Sequence, residues 1–173
     1  MAVIYKLQDV AKLKDRAVFL DANILIYLFW PTGQHHFEKN YAYVFSNLLK
    51  QKNKMFVDFL VISEIINRVI RIEHQKINPI QKFKEFRNSQ EGKEALNDIY
   101  LIVKNDVLNQ FEVIGKAFNK QDIENNLIID ELDFVDKATV ELCKEYDLVL
   151  LTNDKDFKNA DLDILTGNPT ILN

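Results

Sequence analysis

The run DFVDKATVELCKEYDLVLLTNDKDF, residues 133–157, decides the fold. Asp133 is placed to cap a helix reaching Tyr146, with Asp136 in its first turn. Leu148–Leu151 then reads as an uninterrupted apolar strand, and Thr152-Asn153-Asp154 as the turn that ends it. An apolar run without alternation marks a strand covered on both faces, the habit of parallel sheets.

Working outward, the same unit recurs. Ala17–Leu20 is a short buried strand ending in Asp21, and Ala22–Trp30 is an apolar helix stopped at Pro31-Thr32-Gly33. His35–Lys50 has helical spacing at Phe37, Tyr41, Val44, Phe45, Leu48 and Leu49. Met55–Val57 is a second strand, followed by an amphipathic helix over Phe59–Glu73 that Asp58 is placed to cap. Pro79 is expected to begin a short helix. Ser89–Phe118 reads as one long helix or two, with Phe111–Ile114 as an alternative short strand. Asp163–Thr166 is a last strand before Gly167-Asn168-Pro169, and residues 1–16 read as an N-terminal helical extension through Leu7, Val10 and Leu13. The expected fold is α/β, a central mostly parallel sheet flanked by helices on both faces. It forms a single domain over 1–173, with an enlarged helical region at 75–130.

Length and composition agree with that reading. A chain of 173 residues with 47% hydrophobic residues holds one sizeable core and leaves little room for two. The lone Cys143 excludes an internal disulfide and a cysteine-rich metal site. No signal-peptide core or membrane-length apolar run is present, so a cytoplasmic protein without membrane contact is expected. The net charge of −4 argues against a broadly basic nucleic-acid surface, but the charge is unevenly spread. Between Arg68 and Arg87 six basic side chains face two acids. Between Gln121 and Asp136 six acids stand without one Lys or Arg.

Four acids fall where such a sheet places its chemistry. Asp21 and Asp154 follow strands, Glu64 lies on the helix after the second strand, and Asp136 on the helix entering the strand before Asp154. Carboxylates gathered there repel one another, and a hard divalent cation, Mg²⁺ or Mn²⁺, relieves the repulsion. Asp21, abutting an apolar strand with no local partner, calls for a functional explanation, while the other acids also have plainer ones. Glu64 pairs with Arg68 at i,i+4, Asp133 and Asp136 suit a helix start, and Asp154 and Asp156 suit a turn. His35, His36 and His74 have no ligand spacing and read as helix-surface residues; Trp30 and Cys143 read as packing.

Taken in order, the set resembles the PIN-domain family. Val18-Phe19-Leu20-Asp21-Ala22-Asn23 is similar to its first motif, and Val61–Arg68, carrying Glu64, to its acidic second motif. Residues 133–157 resemble its third acid and its closing Thr-x-Asp-x-Asp-Phe turn. The resemblance implies a metal-dependent endoribonuclease acting on single-stranded RNA, often a VapC-like toxin paired with an antitoxin and commonly a homodimer. It makes Asp21, Asp136 and Asp154 metal ligands and Glu64 a fourth catalytic carboxylate. Asn23, Thr152, Asp156 and Asp133 support them, and Arg68 and Arg71 contact phosphate. Asn23 stands where a haloacid-dehalogenase-like phosphatase needs Asp, and no glycine-rich loop follows the first strand for a nucleotide. The remaining alternative is a catalytically silent PIN fold that serves as an RNA- or protein-binding scaffold.

Overall fold

A computed structural model describes residues 2–30 and 32–173. The helix stop read at Pro31 falls partly outside the described residues, as does Met1; the helix itself closes at Phe29, where the Trp30 N–H bonds Ile26 O.

Six strands form one wholly parallel sheet: β1 (Ile4–Lys6), β2 (Val18–Leu20), β3 (Met55–Val57), β4 (Glu112–Val113), β5 (Val149–Leu151) and β6 (Ile164–Thr166). Their spatial order is β1-β6-β5-β2-β3-β4. β2 lies at the centre, with Val18 in register with Met55 on one side and Val149 on the other. Every residue of β2, β5 and β6 is buried, while β1 and β4 are largely exposed edges. That gradient explains the sequence pattern, since only the inner strands are covered on both faces.

From β2 the chain moves through α1 (Ala22–Phe29) and α2 (His35–Gln51) to β3, and through α3 (Phe59–Ile77), α4 (Phe83–Asn88) and α5 (Gln90–Ile102) to β4. α5 continues through a π-helical turn at Val103–Val107 into α6 (Leu108–Gln110). α1 packs on α2 and α3, and α3 on α5, as one layer. The return to β5 runs through α7 (Lys120–Asn126) and α8 (Phe134–Glu145). Because parallel crossovers are right-handed, this reversal of direction puts α8 on the opposite face. α9 (Pro169–Leu172) follows β6. Among the described residues no helix is long and apolar enough to cross a membrane.

Three expectations change. The N-terminal extension is not wholly helical: Ile4–Lys6 is the edge strand β1, paired with β6, and only Leu7–Leu13 is helical, as a 3₁₀ turn. A spacing of three between Leu7, Val10 and Leu13 suits three residues per turn. Pro79 does not begin a helix. It sits in a turn in which the Gln81 N–H bonds Asn78 O, and α4 starts at Phe83; Pro favours the second position of such a turn. His74 is buried rather than on the surface: its Nε2 lies 2.7 Å from Gln81 O and its ring packs on Phe83 and Phe86. Of the two readings of 111–114, the strand holds, as β4.

Candidate active site

The chain leaves β2 toward β3 and later returns to β5 on the other side of β2. The sheet therefore has a topological switch between β2 and β5, and the crevice at their carboxyl ends is where such sheets bind ligands. Asp21 directly follows β2 and caps α1, its Oδ1 accepting the Ala22 N–H at 2.6 Å. Asp154 lies beyond β5 and caps the 3₁₀ turn Lys155–Asn159, its Oδ1 accepting the Asp156 N–H at 3.1 Å. Glu64 comes from the second turn of α3. Asp136 comes from the first turn of α8, where Asp133 is the cap and accepts the Val135 and Asp136 N–H groups, each at 2.8 Å.

These elements enclose an open cleft of about 430 Å³ lined by Asp21, Glu64, Asp133, Asp136, Asp154 and Asp156, together with Asn23, Arg68 and Arg71. Every acid singled out in the sequence reaches it. Thr152 does not line the cleft; it is fully buried behind it. Its hydroxyl donates to Asp21 Oδ2 at 2.6 Å and accepts the Asp154 N–H at 2.9 Å, so one side chain fixes two acids. Asn23 donates to the same Asp21 oxygen at 2.6 Å and accepts the Asn153 N–H at 3.2 Å, tying β2 to the β5 turn. Arg68 Nη1 lies 3.0 Å from Glu64 Oε1, and the Arg71 guanidinium rests 4.2 Å from the centre of the Phe83 ring.

The crowding of acids has an electrostatic signature. Burial pushes the Asp21 carboxyl up to about 6, the Thr152 hydrogen bond opposing and the charges of Glu64 and Asp154 adding. Asp136 is pushed up to about 7, first by burial and then by Asp133, Asp21, Asp154 and Glu64. Among the described residues no three His, Cys, Asp or Glu side chains stand close enough to hold an ion as they are, although six acids line the cleft. The donor set nonetheless fits a hard cation. It is all oxygen, it converges on one crevice, and its members carry a repulsion that a divalent charge would remove.

Sequence reasoning missed Ser63 and Asn67, which line the cleft on α3 beside Glu64; the available signal was the position of Asn67, three residues from Glu64 and four from Ser63 on one helix. It also missed the buried support behind the β5 turn. The Tyr41 hydroxyl donates to Asn153 Oδ1 at 2.8 Å and accepts the Gly167 N–H at 3.1 Å, and Asn168 donates to Asn153 O at 2.6 Å. Burial lifts Tyr41 to about 12, so this hydroxyl remains a donor at neutral pH.

Comparison with known proteins agrees with this architecture. A search of curated protein sequences gives no significant match. Among solved structures, VapBC2 from Rickettsia felis bound to a DNA fragment from their promoter is similar at a TM-score of 0.51 and 17% identity, covering 88% of this chain and 99% of that one. FitAcB from Neisseria gonorrhoeae is similar at a TM-score of 0.54 and 13% identity, covering 86% and 96%. At those identities the likeness speaks for the fold. The family model for the PIN domain matches residues 18–162, from the first residue of β2 to the segment before β6 and across every acid in the cleft, and the chain belongs to the PIN-domain family.

Proposed function

We propose that the protein is a Mg²⁺- or Mn²⁺-dependent endoribonuclease that hydrolyses phosphodiester bonds in single-stranded RNA. The observation that carries this reading is the convergence of Asp21, Glu64, Asp136 and Asp154 on one cleft at the switch point of a PIN-family sheet. When bound, a divalent cation there activates water and offsets the charge that develops on the phosphate. Asp21, Asp136 and Asp154 would hold the cation. Asp21 is kept in position by Thr152, Asn23 and its own helix cap, so its orientation is set before substrate arrives. The Glu64 oxygen not engaged by Arg68 orients the attacking water and accepts its proton. Arg68 and Arg71, on the rim of the same cleft, receive the phosphate backbone, Arg68 exchanging its contact with Glu64 for one with RNA.

The protein works in the cytoplasm as the toxin of a toxin–antitoxin pair, bound by an antitoxin and assembled as a homodimer. Exposed Phe59, Ile128, Ile129 and Phe134, on or next to the helices that carry the acids, give a protein partner apolar surface. The test is cleavage of single-stranded RNA with Mn²⁺ or Mg²⁺, its arrest by EDTA, and its loss in Asp21→Asn and Asp136→Asn with circular dichroism unchanged. Calorimetry with Mn²⁺ runs beside it. Absence of Mn²⁺ binding would overturn the nuclease reading and leave a binding scaffold.

A further inference from the structure

We propose that a second groove, on the same carboxyl edge of the sheet, is an RNA subsite that holds the strand a few nucleotides from the bond being cut. The proposal deepens the ribonuclease reading and rests on it. The groove is about 450 Å³ and lies between the Leu7–Leu13 turn, α2 and the chain after β6. Lys6, Gln8, Lys39, Asn40, Tyr43 and Gly167 give it its character.

Its lining sets it apart. Three other clefts that bear a cation each contain at least one Asp: the catalytic cleft, the one around Arg16 and Lys144, and the one around Lys52 and Lys54. This groove has two lysines and no carboxylate. Lys6 and Lys39 are exposed, and among the described residues neither is in an ion pair. The acids next to them in sequence spend their oxygens on groups other than these two ammonium ions. Asp9 lies 2.7 Å from Lys12 Nζ and accepts the Lys6 N–H at 3.1 Å. Glu38 accepts the N–H groups of Thr32, Gly33 and Gln34. Tyr43 is 59% exposed, a large ring in water that lines the same groove as the two lysines. Two ammonium groups, an open aromatic face and two side-chain amides match phosphates, a base and its polar edge.

Position makes the groove part of one track. Lys6 ends β1 in register with Thr166, which ends β6, and the strand order β1-β6-β5-β2 leads from there to the strands carrying Asp154 and Asp21. At about 4.8 Å per strand the groove lies roughly 10–15 Å from the carboxylates. The link between them is stiff, because Tyr41 and Asn168 join Gly167 and its neighbour to Asn153, which precedes Asp154. The edge strand β1 thus supplies one wall of the groove, giving the N-terminal segment a use.

The experiment follows binding of fluorescein-labelled single-stranded RNA oligomers of about 4 and about 12 nucleotides. The full chain is used in EDTA, with anisotropy read across a salt series, and cleavage of both oligomers is measured separately in Mn²⁺. The wild type is expected to bind the longer oligomer more tightly. Lys6→Ala with Lys39→Ala should abolish that advantage and reduce the slope of log affinity against log salt by about 1.4, or ~0.7 per lost phosphate contact. Tyr43→Ala should weaken the longer oligomer about tenfold. Cleavage of the short oligomer should not change in any of these variants. Coincident salt slopes for wild type and the lysine variant overturn the subsite; if the wild type still cuts both oligomers, the ribonuclease reading survives alone. A reduced slope in a protein that cuts neither oligomer removes the nuclease and overturns the subsite as part of a cleavage track, leaving an RNA-binding groove alone. Dissociation of an oligomer by Tyr43→Ala in sedimentation, with RNA binding unchanged, makes the groove a contact between copies and overturns the proposal.

Discussion

Thr152 carries more of the site than its small side chain suggests. It touches no open space, yet its hydroxyl bonds both the Asp21 carboxylate and the Asp154 backbone. Thr152→Val keeps the volume and removes both bonds, leaving the half-buried Asp154 N–H without this partner and releasing one oxygen of Asp21. A loss of about 1–3 kcal/mol in urea unfolding is expected. Mn²⁺ affinity should fall ~10–100-fold by calorimetry, with Thr152→Ser restoring most of both. Unchanged Mn²⁺ affinity in a folded Thr152→Val would remove Thr152 from the site. Residues of this kind divide by how local their signal is. Asp21 was legible because it abruptly ends an apolar run, and Asp154 because it stands in the Thr-x-Asp-x-Asp-Phe turn that follows one. Tyr41, Asn153 and Asn168 were not, since their bonds join positions as much as 126 residues apart and leave no local pattern.

Helix α8 separates two acids that spacing alone could not rank. Asp133 spends one oxygen on two backbone N–H groups as the cap, whereas Asp136 has its carboxyl raised first by burial and then by Asp133, Asp21, Asp154 and Glu64. Asparagine caps a helix as well as aspartate does, so Asp133→Asn should fold and cleave RNA close to wild type. Asp133→Ala should cost about 1 kcal/mol of stability. Asp136→Asn should fold normally and lose cleavage. If Asp133→Asn also loses cleavage, the cap is a ligand and the assignment reverses. The same distinction explains which elements were readable. The helices with long apolar stripes and the strands buried on both faces show in composition and periodicity. β1 and β4 are edge strands of three and two residues whose pairing is with distant chain, and nothing in three half-exposed residues distinguishes strand from helix. Pro79 was ambiguous because its fixed φ suits a helix start and a turn equally.

The whole molecule bears the strain of its site when no cation is bound. Asp21 at about 6 and Asp136 at about 7 lie above the roughly 3.9 of an unfolded aspartate. Between those values the folded protein binds protons that the unfolded chain has released. Stability must therefore fall as pH rises from about 4 to about 7. Asp58, raised mainly by burial, acts in the same direction. Asp9, Glu38 and Glu91 have lowered values, so their contribution is present above the ordinary carboxylate range and disappears only at more acid pH. The metal-free protein should accordingly melt highest in mildly acid solution and lose melting temperature toward neutrality in EDTA. A cation that binds only the ionised folded site reverses the trend, adding about 2.7 kcal/mol at one hundred times its dissociation constant. Its effect should be larger at pH 7.5 than at pH 5, because protons compete for the same oxygens. Differential scanning calorimetry with and without Mn²⁺ reads both effects, and Asp136→Asn, which removes the most strongly raised carboxyl in the cleft, should flatten the EDTA curve. A melting temperature in EDTA that is level from pH 5 to 7.5 would show that the cleft tolerates its carboxylates unaided, with no repulsion among them for a cation to relieve.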